Sequence, residues 1–287
     1  MPVHDPEALT SALEDLRTDG ASAAAPYVDA ALEAVASPTR PGLAGPEEGG
    51  ALSAASVAAL LDHTQLRPAA TDEQIDRCCD EAETYDFASV CVHPTHVPRV
   101  ARRLADTPVT PCTVVGFPHG ANRTATKAHE ADRAVADGAR ELDMVLALGA
   151  IASGRYSDAE ADVRAVVTAA RDGGEAVGAD VPVKVILETA LLTPAQIAVA
   201  CVVARRAGAD FVKTSTGFAS AGARAGDVAL MRQVVGAEMG VKASGGVGSM
   251  ADLRRMVGHG ATRIGASGSV AIMEEIKAAP EASPSDR

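Results

Sequence analysis

Large aromatic side chains are almost missing from this sequence. Only 2% of its 287 residues are Phe, Trp or Tyr and there is no Trp, although 47% of the residues are hydrophobic. The core must therefore be built from Ala, Val, Leu and Ile, which suit helices packed on buried parallel strands. A chain of this length has room for one large α/β domain or two small ones.

The sequence also lacks the marks of membrane, secreted and nucleic-acid-binding proteins. No apolar run reaches about 18 residues without a charge or a breaker, so no membrane-spanning helix is expected. The first residues have neither the basic start nor the apolar stretch of a signal peptide. A formal net charge of −12 disfavours binding to nucleic acids and to anionic membranes. These absences together predict a cytoplasmic protein.

The cysteines form no disulfide framework or metal-binding motif. There are five of them, an odd number, and no two have CxxC spacing. This usage is typical of reduced thiols. His93 and His96 are three residues apart in a proline-containing segment, which is weak evidence for a zinc site, and no metal is expected.

Residues 1–50 differ in composition from the rest of the chain. They are rich in Ala, Pro, Gly and acidic residues and contain no apolar strand. We expect an N-terminal extension that is helical or partly disordered, with helices around residues 8–16 and 27–36 and a linker near residues 37–50. Residues 51–287 are assigned to a second region with a regular pattern.

In this second region, short β-branched runs alternate with Ala-rich amphipathic stretches. The predicted strands are 59–64, 88–93, 111–117, 141–146, 181–188, 210–215, 241–246 and 263–267. The helices predicted between them include 71–85, 127–139, 158–173 and 193–208. Thr71 and Thr193 are expected to cap helix N-termini, and Gly138, Gly173 and Gly208 to end helices.

Eight strand–helix units over about 215 residues predict an α/β fold of the (β/α)8 TIM barrel type. A doubly wound open sheet is the alternative, but no G-x-G-x-x-G motif follows the first strand. In a TIM barrel the catalytic residues lie at the C-terminal ends of the strands, which directs attention to the polar residues there.

Charged residues interrupt five of the otherwise apolar strands. They are Asp62, Asp143, Lys184, Lys213 and Lys242. A charge inside a barrel is costly unless it is paired, so such residues are rarely accidental. Two interpretations stay open at this point: a structural set of ion pairs, or a catalytic group.

Two of the lysines, Lys213 and Lys242, lie on consecutive strands. A lysine with the usual pKa of about 10.4 is neutral in fewer than about one in a thousand molecules at pH 7, and only the neutral amine attacks a carbonyl. A second cation about 6 Å away repels it by roughly 2.8 kcal/mol at an effective dielectric constant of about 20, equivalent to about 2 pKa units. The pair therefore suits a Schiff-base enzyme, and Asp143 beside Lys184 suits a proton relay.

Glycine-rich segments follow the last two predicted strands, at residues 243–247 and 265–269. Barrels often bind phosphate at this place through backbone N–H groups and a helix N-terminus. Tight turns are the alternative explanation. The candidate phosphate-binding residues are Gly217, Ser244, Gly245, Gly246, Gly265, Ser267 and Gly268.

Eight sequence blocks, read in chain order, resemble the deoxyribose-phosphate aldolases, a class I aldolase family. The blocks are LLDHT, SVCVHP, GFPHGA, ELDMV, KVILET, FVKTSTGF, VKASGGV and RIGAS, within about residues 56–275. The resemblance implies reversible cleavage of 2-deoxy-D-ribose 5-phosphate to D-glyceraldehyde 3-phosphate and acetaldehyde. It also implies a small phosphorylated sugar as the partner molecule and no metal or organic cofactor. The sequence leaves the assembly state open, with a homo-oligomer as one option.

The resemblance further implies residue roles. Lys213 corresponds to the Schiff-base lysine, Lys242 to the lysine that perturbs it and Asp143 to the acid–base aspartate. The supporting residues are Asp62, Cys91, Lys184 and Thr214, with Cys91 as a small residue lining the substrate pocket. The chain departs from the family pattern at His93, Phe218 and Gly268.

Three other functions stay open on the sequence. The first is a Schiff-base aldolase acting on another sugar phosphate or on a keto acid. The second is a phosphosugar isomerase or synthase in which the lysine forms no covalent bond. The third is a phosphosugar-binding barrel without catalytic activity.

Overall fold

The computed structural model describes residues 4–19, 23–37 and 52–278, and within them eight parallel strands close into a barrel. Each strand pairs with the next, and the last pairs with the first, which confirms the predicted TIM barrel. The strands are β1 Leu61–Gln65, β2 Ser89–Val92, β3 Thr110–Val115, β4 Glu141–Val145, β5 Val183–Ile186, β6 Phe211–Lys213, β7 Gly240–Ser244 and β8 Arg263–Ala266.

Helices surround the barrel and precede it. Three come before β1: α1 Pro6–Asp19, α2 Ala25–Ala36 and α3 Ala54–Ala58. The others are α4 Asp72–Tyr85, α5 Val97–Arg103, α6 Thr124–Ala136, α7 Leu148–Ala152, α8 Tyr156–Val177, α9 Pro194–Ala207, α10 Ala225–Val235, α11 Met250–Gly258 and α12 Ser269–Ala278. Among the described residues, no helix has both the length and the apolar character needed to cross a membrane.

The strand register brings charged residues side by side. Asp143 on β4 pairs with Lys184 on β5, and Lys213 on β6 pairs with Lys242 on β7. Residues that pair in register on adjacent strands point to the same face of a sheet. The register therefore assembles these four side chains inside the barrel.

Helix ends follow the predicted capping signals in most places. Thr71 and Thr193 each form a capping box, with Gln74 and Gln196 respectively. Gly208 ends α9 in the left-handed conformation that glycine adopts without strain.

The prediction that Gly173 ends its helix is wrong, because α8 continues to Val177 and ends at Gly178. A Cβ atom on Gly173 would lie 3.2 Å from a methyl group of Val135 on α6. The glycine therefore serves close packing between the two helices.

The two N-terminal helices pack on the outside of the barrel, against α9 and α10. The Tyr27 hydroxyl donates a hydrogen bond to Glu160 at 2.8 Å, and the Gln233 side chain donates one to the Val35 carbonyl at 2.7 Å. Their buried apolar residues include Leu9, Leu13, Val28 and Ala31. The helices expected around residues 8–16 and 27–36 are confirmed, whereas the linker expected near 37–50 lies outside the described residues except for Ser37.

The packing of α1 against the barrel leads to a prediction about the stability of the protein. Leu13 is fully buried (0% exposed), whereas Leu191 near the barrel rim is 61% exposed. Leu13→Ala is expected to lower the free energy of unfolding by about 2–5 kcal/mol, because it leaves a cavity. The matched change Leu191→Ala is expected to alter the free energy of unfolding by less than about 0.5 kcal/mol. Urea unfolding followed by circular dichroism measures both, and equal midpoints for the two variants would show that α1 is not docked.

Candidate active site

Asp143 is the centre of a buried charge cluster. One of its oxygens, Oδ2, accepts hydrogen bonds from Lys213 Nζ at 2.6 Å and from Lys242 Nζ at 2.7 Å. The other, Oδ1, accepts one from Lys184 Nζ at 3.0 Å. The two nitrogens on Oδ2 are therefore no farther apart than the sum of those two distances. The structure thus brings together four of the residues that the sequence singled out.

A second layer of charges lies below this centre. Asp62 forms an ion pair with Lys242, and Glu141 forms one with Lys184. Arg263 bridges the two carboxylates: its guanidinium lies 2.7 Å from Asp62 Oδ1 and 3.2 Å from Glu141 Oε1.

Sequence reasoning missed Glu141 and Arg263, although signals for both exist. Glu141 lies two residues before Asp143 on the same strand, so both side chains face the same side. Arg263 pairs in register with Lys242. A search for charges at alternating strand positions would have found both.

The cluster sets the ionisation of its members. Burial alone would raise the pKa of Asp143, but the ammonium groups of Lys184, Lys213 and Lys242 hold that pKa well below its ordinary value. Burial would lower the pKa of Lys242, yet Asp143 and Asp62 raise it well above its usual range. Asp143 is therefore a carboxylate in the resting protein, and Lys242 is an ammonium group.

Lys213 differs from the other two lysines in its surroundings. It contacts one carboxylate, whereas Lys242 contacts two and Lys184 contacts three. Its side chain is 3% exposed and lines a cavity, while those of Lys184 and Lys242 are fully enclosed. Of the three amines, the one with the fewest counter-charges is thus the one that a small molecule reaches.

The cavity opens at the C-terminal ends of the strands and measures about 560 Å³, within the usual range for small-molecule sites. Residues from β1, α4, β6, β7 and β8 and the loops after these strands form its wall. Those lining it include His63, Gln65, Arg67, Gln74, Arg77, Glu81, Lys213, Thr216, Phe218 and Val247.

Six of the seven candidate phosphate-binding residues line this cavity. They are Gly217, Ser244, Gly245, Gly246, Gly265 and Ser267. The seventh, Gly268, lies just before α12 and is not among the described residues that line the cavity. The loop after β6 is held on this rim, since the Ala223 N–H donates to the carbonyls of Ser244 and Gly245 at 3.0 Å.

Glycine is required where these loops touch. A Cβ atom on Gly222 would lie 2.1 Å from the carbonyl oxygen of Gly245, so no larger residue fits there. Gly245 and Gly246 both have positive φ angles, 82° and 76°, which favour glycine. The rim therefore presents backbone rather than side chains to the cavity.

Thr214 has a positioning role in the geometry. Its hydroxyl donates to the Ser244 carbonyl and accepts from the Ser244 N–H, both at 3.1 Å, and so ties β6 to β7. Thr216 bonds to Glu188, which lies beyond β5. These contacts fix the segment that follows Lys213.

Cys91 and Cys112 lie beside Asp143, and both are buried. Cys112 Sγ is 3.5 Å from Asp143 Oδ1, and the two sulfurs and a carboxylate oxygen lie within 4.8 Å of one another. A cation held there would face the three ammonium groups on Asp143, which disfavours a metal site. Cys91 packs with Leu66 and Phe117 rather than lining the cavity described above.

Sequence reasoning also missed the two arginines at the cavity mouth. Arg67 follows β1 and Arg77 lies on α4; both are exposed, and neither has an ion-pair partner among the described residues. The position of Arg67 just after a strand was a usable signal. Across the mouth, Phe218 is 50% exposed and packs edge-to-face on Phe117, with ring centres 5.4 Å apart.

Known proteins resemble this chain in both sequence and structure. The family model for DeoC/LacD family aldolase matches residues 56–273. Deoxyribose-phosphate aldolase 2 of Staphylococcus aureus is 53% identical over 221 residues, covering 77% of this chain and 97% of that protein.

Solved structures agree with the sequence comparisons. A Coccidioides immitis protein provisionally described as a deoxyribose-phosphate aldolase is 38% identical, with a TM-score of 0.76 over 96% of this chain and 100% of that one. The deoxyribose phosphate aldolase of Aeropyrum pernix, whose structure is a tetramer, is 33% identical, with a TM-score of 0.72 over 79% of this chain and 93% of that one.

Gly265 offers a direct test of the cluster geometry. A Cβ atom there would lie 2.9 Å from Lys242 Cε, so Gly265→Ala displaces the end of this lysine, which is hydrogen-bonded to Asp143. We expect activity to fall roughly 10- to 100-fold, because small displacements of catalytic groups are costly. Gly258→Ala on α11 is the control, since no atom lies within 4 Å of its added Cβ. Equal turnover in the two folded variants would argue against the role given to the position of Lys242.

Proposed function

The chain belongs to the DeoC/LacD aldolase family, and from that premise we propose that it is a deoxyribose-phosphate aldolase that works through a Schiff base on Lys213. It is a lyase that cleaves 2-deoxy-D-ribose 5-phosphate reversibly to D-glyceraldehyde 3-phosphate and acetaldehyde. The observation that carries the proposal is that Lys213, which lines the cavity, shares one oxygen of Asp143 with a second lysine.

The distribution of lysines supports Lys213 as the nucleophile. The chain has only five, and Lys277 lies exposed on α12 while Lys127 is buried in an ion pair away from the cavity. Lys184 and Lys242 are each held by more than one carboxylate and stay charged. Lys213 is therefore the lysine with the fewest counter-charges and the one placed to meet a carbonyl group.

The reaction follows from a neutral amine at this position. Lys213 Nζ attacks the C1 aldehyde of the open-chain sugar, and the carbinolamine loses water to form an iminium ion. The C2–C3 bond then breaks: its electrons flow toward the iminium nitrogen, and the C3 hydroxyl loses its proton to become the aldehyde of glyceraldehyde 3-phosphate. The enamine left on Lys213 is protonated at carbon, and water releases acetaldehyde and the free amine.

Asp143 has the contacts and the ionisation that proton transfer requires. As a carboxylate 2.6 Å from Lys213 Nζ, it accepts a proton released near that nitrogen and returns it in a later step. Lys184 and Lys242 stabilise the carboxylate form between these steps. Such positioned acid–base groups contribute about 10²–10⁴-fold to a rate.

The phosphate group is assigned to the rim of the cavity. Backbone N–H groups of glycine-rich loops after β7 and β8 suit an anion. Arg67 and Arg77 add two positive charges at the mouth of a protein whose net charge is −12. This placement directs the aldehyde end of the substrate inward to Lys213.

Trapping with borohydride tests the covalent step. Acetaldehyde and sodium borohydride are expected to leave an ethyl group on Lys213, mapped by peptide mass spectrometry. Lys213→Ala should lose both the adduct and turnover, because no other lysine among the described residues lines the cavity. Lys277→Ala, which removes an exposed lysine, should keep both. An unmodified Lys213 in an active protein would reject the Schiff-base mechanism.

The phosphate assignment makes a separate prediction. Arg67→Gln and Arg77→Gln are each expected to raise KM for 2-deoxy-D-ribose 5-phosphate roughly threefold to tenfold at unchanged kcat. Neither should change KM for unphosphorylated 2-deoxy-D-ribose, because that sugar offers no anion. Arg102→Gln on the outer helix α5 is the control. Equal effects on both sugars would place the phosphate elsewhere.

A further inference from the structure

The charges at the base of the barrel do not balance. Below and around the cavity amine lie three carboxylates, those of Asp62, Glu141 and Asp143, against four cations. The cations are Lys184, Lys213, Lys242 and Arg263. With these seven groups ionised, the cluster carries one surplus positive charge, and without Arg263 its charges would balance.

Arg263 is built into this cluster rather than placed on the surface. Its side chain is 16% exposed and bridges Asp62 and Glu141, and its guanidinium carbon lies 5.7 Å from the centre of the Phe211 ring. Burial would lower its pKa, but Asp62 and Glu141 raise it, so Arg263 stays charged at every working pH. Arg263 is not among the described residues that line the cavity next to Lys213.

Of the three lysines in the cluster, Lys213 is the one whose charged form is least stabilised by carboxylates. Lys184 and Lys242 each contact at least two carboxylates, which favours their charged forms. Lys213 has a single oxygen, and shares it with Lys242. Of the other ionisable groups nearby, Cys91 and Cys112 lie beside Asp143. Glu188, beyond β5, bonds to Thr216 and forms no ion pair with the four cations among the described residues, so it lies outside the cluster. Loss of a proton from Lys213 removes the surplus positive charge, and in a low-dielectric interior this is favourable.

We propose that Arg263 is a positioning residue for the aldolase reaction, and that its charge, by offsetting those of Asp62 and Glu141, keeps Lys213 in the neutral form that attacks a carbonyl. The proposal rests on the proposed function. Arg263 holds the two lower carboxylates, which in turn anchor Lys184 and Lys242 as ammonium groups. Lys213 is left as the amine without a carboxylate of its own.

The sign of the effect distinguishes this role from simple structural support. Arg263→Met removes a positive charge and is expected to move the acid limb of the kcat/KM profile to higher pH by roughly half to one unit. Glu141→Gln removes a negative charge, keeps a hydrogen-bond acceptor for Lys184, and is expected to move the limb to lower pH. Damage to packing would slow both variants and would not produce opposite shifts.

The experiment measures kcat/KM for 2-deoxy-D-ribose 5-phosphate and the rate of borohydride-trapped imine formation with acetaldehyde, each across pH. Arg263→Lys should restore the original profile because it keeps the charge, and Arg255→Met on the exposed side of α11 should leave it unchanged. Lys242→Met serves as a reference for the loss of a directly adjacent cation and should shift the limb upward.

Each outcome bears on one claim. Unshifted profiles for folded Arg263→Met and Glu141→Gln, alongside a shifted Lys242→Met profile, would overturn the proposal while leaving the Schiff-base mechanism intact. A uniform loss of rate at every pH that Arg263→Lys does not rescue would also overturn it. If Arg263→Met does not fold, the downward shift in Glu141→Gln decides the question alone. Absence of any trapped imine in the unaltered protein would instead reject the proposed function.

Discussion

One carboxylate shared by three lysine side chains organises the interior of this barrel. A lone charge at this depth would be neutralised or would destabilise the fold, and it survives because each member of the cluster compensates another. Asp143 receives Lys184 on one oxygen and two further lysines on the other, so removing any partner changes the ionisation of the rest. The same contacts that make the charges tolerable therefore make one amine reactive.

The barrel provides this arrangement through register more than through loops. Parallel strands place residues of equal height side by side, and the alternation of side chains selects which of them point inward. Lys213 and Lys242 are 29 positions apart in the chain yet pair directly on β6 and β7. Loops add the glycine rim, where backbone approaches too close for a side chain, as at Gly222 and Gly245. Strands thus hold the charged groups, and loops shape the entrance.

Much of this was predictable from the sequence, because the signals are local. Strand and helix periodicity indicated eight units, and charges in apolar strands indicated Asp143 and its lysines. Gly173 led to a wrong prediction of a helix end, because a glycine that is needed for close contact with Val135 has the same sequence signature as a helix C-cap. Arg77 was missed because an arginine on a helix is ordinary, and only the closed barrel shows that this one lines the cavity.

The overall negative charge of the protein does not conflict with an anionic substrate. Surface charges are screened by salt within about 8–10 Å, so most of the −12 net charge has little influence at the cavity. The four cations and three carboxylates inside the barrel are mostly buried and are therefore screened much less, and near the mouth Arg67 and Arg77 lack acidic partners among the described residues. The charged groups that line the cavity, and the cluster beneath it, are therefore what a phosphorylated sugar meets, rather than the net charge of the whole protein.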